Sequence, residues 1–134
     1  MVIQLISCLS LGIVVLIVCG YFGLVPKSDH PRKVVGHYRL EHILDKEEFY
    51  LFRNDNNESD RGRIAGNVLH IGWNERYIVF YRNSSYRVVA NGWIIVDIKS
   101  DRIRGPLTDS ELSLCPERVG MQIVDVKEAW ANLK

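Results

Sequence analysis

The chain predicts an α+β domain, mainly an antiparallel β-meander with one or two short C-terminal helices, behind a single N-terminal transmembrane helix. Three observations predict this. Residues 2–25 form a nearly unbroken apolar run without a charged side chain, and all 17 Lys/Arg and 16 Asp/Glu lie from Lys27 onward. From Val34 to Ile98, short segments rich in Val, Ile, Tyr, Phe and Trp alternate with Asn-, Asp-, Ser- and Gly-bearing breaks, which is the pattern of strands and tight connections. After Gly105-Pro106 the chemistry turns helical, with Thr108-Asp109-Ser110-Glu111 written as a capping box.

The apolar run is long enough to span a bilayer core of about 30 Å, which takes roughly 20 residues as a helix. Pro26 then discourages its continuation. The expected organisation is a membrane anchor over residues 2–25, a polar two-proline linker over 26–33, and one small soluble domain over 34–134. A single-pass membrane protein follows, with the domain on the extracytoplasmic side, as is usual for an N-terminal anchor. Lys27, Arg32 and Lys33 flank the inner end of the run and by the positive-inside rule argue for the cytoplasm instead. A cleaved signal peptide would need a basic n-region, and no Lys or Arg precedes the run. Leu16-Ile17-Val18-Cys19 has the outline of a lipobox, so Cys19 is a candidate lipidation site, although Val18 stands where a small residue is usual.

Taken in order, Val34–Leu40 and Glu48–Phe52 read as strands, joined by the charged stretch 41–47. Residues 54–62, NDNNESDRG, read as an exposed loop. Asn67–Trp73 is a strand and Trp73-Asn74-Glu75 a turn. Arg76–Arg82 is the clearest strand. Tyr77, Val79 and Tyr81 line one face, Ile78 and Phe80 the other, and two apolar faces make it central. Tyr86–Ala90 and Trp93–Ile98 follow as strands, and Arg102–Arg104 pairs back until Gly105-Pro106 stops it. The helix opened by Thr108 ends at Cys115-Pro116. Val119–Val124 reads as strand or irregular chain. Asp125 caps a last helix, Val126–Leu133, with Val126, Ala129, Trp130 and Leu133 on one face.

Composition narrows function by exclusion. The formal net charge is +1 and no basic patch is evident, which argues against a nucleic-acid binder. His30, His37, His42 and His70 show no ligand spacing and no paired cysteine, so neither a metal nor a cofactor is expected. Cys115 is the single thiol after the anchor, which rules out a disulfide within the domain. Acid pairs such as Asp97 and Asp101 read as solvated charge at turns. The aromatic set Trp73, Tyr77, Tyr81, Tyr86 and Trp93 falls on neighbouring strands, and its ordinary reading is cross-strand packing. Its functional reading is a contact face shared with arginines, since Trp, Tyr and Arg dominate binding hot spots. On that reading the partner-binding candidates are Trp73, Arg76, Tyr81, Arg82 and Arg87, with Asp55 and Asp60 in the loop as a second contact surface.

Four segments carry a resemblance: Ile71-Gly72-Trp73-Asn74, Tyr77-Ile78-Val79, Trp93-Ile94-Ile95, and Gly105-Pro106-Leu107 with Glu111. Together they resemble a family of small bacterial envelope proteins, mostly predicted lipoproteins of unknown function, over about residues 67–112. The resemblance implies a bacterial source and an envelope setting, with the anchor in the inner membrane and the domain periplasmic or extracytoplasmic, and it transfers no catalytic residue. The resulting expectation is a non-catalytic, membrane-anchored protein-binding domain of the bacterial envelope, in its sharpest form an immunity or inhibitor protein against a secreted toxin, with its partner near the membrane surface. The alternatives are a small thiol-dependent hydrolase using Cys115 and a histidine, for which an unreactive Cys115 would be decisive, and a structural subunit of a membrane complex.

Overall fold

The computed structural model describes residues 29–54, 62–64, 66–84 and 90–134. The apolar run, Cys19, Asp55, Asp60 and Arg87 lie outside the described residues, as does the expected strand Tyr86–Ala90 apart from its last residue. Among the described residues no helix is long and apolar enough to cross a membrane.

Among the described residues, nine strands form two antiparallel sheets. The first has the order β1 (Arg32–Val35), β2 (Tyr38–Ile43), β3 (Glu48–Arg53), β4 (Gly62–Arg63). The second has the order β8 (Ile103–Leu107), β7 (Gly92–Asp97), β6 (Tyr77–Asn83), β5 (Asn67–Trp73), β9 (Val124–Asp125). Each is a meander of sequential neighbours, except that β9 returns to pair with β5. The described residues also form two short α-helices, α1 (Asp109–Ser113) and α2 (Val126–Asn132), and a 3-10 turn over Pro116–Arg118.

The expected strand Val34–Leu40 is two strands. Gly36 adopts φ +59°, a conformation that costs glycine little, and the chain reverses there so that Val35 faces Tyr38. The second half then runs on through Glu41, His42 and Ile43, where a charged connection was expected, because β3 offers a matching partner: every residue from Tyr38 to Ile43 pairs between Arg53 and Glu48. The edge strand β8 likewise runs through Gly105-Pro106 instead of stopping there. At an edge the proline needs no donor for a further strand. Of the ambiguous stretch Val119–Val124, only Val124 is strand.

The inner faces of the two sheets share one core. Tyr38, Leu40, Phe49 and Leu51 of the first sheet meet Val68, Ile71, Ile78, Phe80, Ile94 and Val96 of the second, and Val126, Ala129 and Trp130 of α2 close one side. β6 lies in the middle of its sheet, as its two apolar faces predict. Its odd-numbered residues point outward, where Val79 and Ile95 pack beneath Leu112 of α1, flanked by Met121 and Ile123. The capping box is formed: the Glu111 amide donates to Thr108 Oγ1 at 3.2 Å and the Thr108 amide to Glu111 Oε1 at 3.3 Å. Such a cap is worth about 1 kcal/mol, which matters in a one-turn helix that cannot stand alone. Asp125 caps α2 without a reciprocal partner, accepting from the Lys127 amide at 2.9 Å.

Candidate functional site

The outer face of the second sheet is covered over only part of its length. In the covered part, Gly72 opposes Val79 and Val79 opposes Ile95. Gly72 is required there by close approach, since a Cβ would lie 2.7 Å from the Gln122 carbonyl oxygen. One row along, register aligns Asp125 of β9, His70 of β5, Tyr81 of β6, Trp93 of β7 and Leu107 of β8. Directly opposed residues of antiparallel strands share a face, so these five side chains form a transverse row. His70 is exposed, and Tyr81 and Trp93 are half-buried. The Tyr81 ring meets Trp93 edge-on at 5.2 Å between centroids, and His70 lies 6.3 Å from Trp93. The Trp93 indole N–H donates to Asp109 Oδ1 at 2.6 Å, so the first residue of α1 fixes the ring at the margin of the row.

The other expected contact residues are dispersed. Trp73 is half-buried and packs on the inter-sheet core, on the face opposite Tyr81. Arg76 is exposed in the β5–β6 turn, where its guanidinium lies 5.4 Å from the Tyr77 ring and 3.8 Å from Asp97 Oδ2. That turn is set by Asn74, whose Oδ1 accepts from the amides of Arg76 and Tyr77 at 2.9 and 2.7 Å. Arg82 donates from Nε and Nη2 to the Ala90 carbonyl at 3.1 and 2.9 Å, and burial lowers its pKa from the ordinary arginine value. The structure therefore groups Tyr81 and Trp93 and adds His70 and Asp109, while Trp73, Arg76 and Arg82 stand apart from them.

A second polar cluster joins the two sheets. Asp101, in the β7–β8 turn at φ +59°, accepts from the Tyr38 hydroxyl at 2.6 Å and contacts His37 Nε2 at 2.8 Å through the same Oδ1. Arg53 Nη1 lies 3.4 Å from its other oxygen. The Tyr38 hydrogen bond, followed by His37 and Arg53, holds the Asp101 carboxyl below its ordinary pKa against the opposing effect of burial. The expectation of solvated charge therefore fails at Asp101, which ties the end of the second sheet to β2 and β3 of the first. At Cys115, the thiol donates to the Glu111 carbonyl at 3.3 Å and Arg104 Nη2 approaches the sulfur at 3.3 Å. These contacts hold the thiol against α1 and β8 and include no imidazole. Among the described residues, no group of three His, Cys, Asp or Glu side chains is arranged to hold a metal ion.

Sequence reasoning missed His70 as a surface residue. Strict alternation from buried Val68 sends His70 to the core, but a bulge between them moves it to the outer face and Ile71 to the inner one. Asp109 had a readable signal only as a helix-start acid.

Comparison with protein-family models, curated proteins and solved structures finds no match to this chain.

Proposed function

We propose that the chain is a non-catalytic, membrane-anchored protein-binding domain of the bacterial envelope, and that it binds its partner through the row His70, Tyr81 and Trp93. The observation that carries this reading is the aromatic row beside the α1 cluster, with His70 exposed and Tyr81 and Trp93 half-buried. Its backbone is fixed by three paired strands and its indole by Asp109. A rigid platform loses little conformational entropy on binding, and Tyr and Trp supply large contact area with one polar handle each. The anchor at residues 2–25 and the likeness of residues 67–112 to small envelope proteins support the setting. The partner is a protein near the outer surface of the inner membrane. An immunity role, in which the platform occludes a secreted toxin, is the sharpest form of the proposal.

Photo-crosslinking in the native membrane tests it. A benzophenone amino acid in place of His70 is expected to yield one discrete protein adduct, whereas the same group in place of Lys99, exposed in the β7–β8 turn, yields none. No adduct from position 70, or the same adducts from both positions, contradicts the proposal.

A further inference from the structure

We propose that the end of the domain bearing the β2–β3 turn and α2 rests on the phospholipid bilayer, with Leu44 and the rim of the Trp130 pocket as its contact. The inference rests on the reading of residues 2–25 as a membrane anchor.

The chain enters the domain at this end. The Asp29 amide donates to the His42 carbonyl at 3.1 Å, and β1 then runs antiparallel to β2 with Arg32 opposite Leu40. Arg32 fastens the entry to α2: its Nη1 donates to the Trp130 carbonyl at 2.7 Å, and its guanidinium lies 4.3 Å over the Trp130 ring. Only four Cα–Cα steps separate Val25, the last apolar residue of the run, from Asp29, and an extended chain covers at most about 14 Å in that number. The polar headgroup layer on each side of a bilayer is itself roughly 5–7 Å thick. Whatever path the connection takes, His42 and its neighbours are held within a few residues' reach of the headgroups.

The surface at this end suits that position. Leu44, 42% exposed, stands at the start of the β2–β3 turn. Beside it a pocket of about 350 Å³ is lined by His42, Phe49 and Trp130, with Lys127 and Glu47 at its rim. His42 stacks on Phe49 at 4.3 Å, and its buried Nδ1 lies 3.9 Å from Asp29 Oδ2 and has no hydrogen-bond partner among the described residues. Trp130 is itself buried, so the contact falls to Leu44 and to the exposed Lys127, whose stem can lie along apolar groups while its ammonium, 4.0 Å from Glu47 Oε2, stays at the headgroup level. Local charges nearly balance, with Lys46 and Lys127 beside Asp45, Glu47 and Glu128, so attraction to anionic lipid is weak. The tether compensates, because a short linker supplies an effective concentration in the millimolar range.

The opposite end is marked by Asp101, His37 and the start of β2. The six residues of β2 separate the two ends by about 17 Å. Depth-dependent quenching therefore tests the proposal. The full chain, carrying Cys115→Ser, is reconstituted in phosphatidylethanolamine–phosphatidylglycerol vesicles. A water-soluble fluorescent maleimide is placed at Leu44→Cys or Lys99→Cys, with the Cys115→Ser chain as the labelling blank. Headgroup-nitroxide lipid is expected to quench the label at position 44 at least threefold more than at position 99. Equal quenching in chains that resist an alkaline wash overturns the bilayer contact and leaves the anchor standing. Chains released by the wash overturn the anchor and the contact together.

Discussion

Phe80→Ala is expected to destabilise the domain by about 3–5 kcal/mol, the usual cost of removing a fully buried phenylalanine and leaving a cavity. Phe80 has no exposed surface, lies at the centre of β6, and is part of the core shared by both sheets and α2. A single domain of this size has about 5–15 kcal/mol in all, so the variant should unfold at markedly lower urea concentration. Urea titration of the full chain in mild detergent, followed by tryptophan fluorescence, measures this. Val79→Ala on the other face removes less volume and touches the smaller cluster under α1, so it should cost clearly less. Equal losses would mean that the inter-sheet core is not the principal one.

Asp101→Asn should cost about 1–2 kcal/mol above pH 5 and progressively less in acid. Asparagine tolerates the left-handed backbone at this position, so the substitution isolates the charge from the fold of the turn. It weakens the acceptor for Tyr38, which is only 2% exposed, removes the ion pair with Arg53 and weakens the contact with His37. Because the folded carboxyl titrates below its unfolded value of about 3.9, its stabilising contribution is complete above that value and is lost as the pH falls through the lower folded value. The urea midpoints of wild type and variant should therefore converge in that acid range. A difference independent of pH would assign the effect to packing of the turn and not to the carboxylate charge.

The strands of the second sheet were legible because each signal was local. Arg76–Arg82 carries two apolar faces, which specify the central position it takes, and Thr108 with Glu111 specifies its own helix start. What could not be read depends on register or on distant partners. The reversal at Gly36 breaks an apolar run that looks continuous. The bulge between Val68 and His70 exchanges the faces of β5, and one residue of slip moves every later side chain to the other side. Asp101 resembles any turn aspartate until folding brings Tyr38 and His37, more than sixty residues away in sequence, to its carboxylate. The aromatic row suffered from the same lack of register. Trp73 and Tyr81 belong to adjacent strands, yet Trp73 opposes Ile78 on the inner face while Tyr81 opposes His70 on the outer one.

The affinity of the protein captured at His70, measured against the full chain and its variants, tests the assignment of the contact surface most directly. Tyr81→Ala and Trp93→Ala should each weaken binding by about 30-fold or more, the scale of a hot-spot residue, and exposed His70→Ala should weaken it with no change in melting temperature. Arg76→Ala, in the distant β5–β6 turn, should change it by less than about threefold. Near-wild-type affinity in the three row variants, or a dominant loss at Arg76, would contradict binding through the outer face of the second sheet.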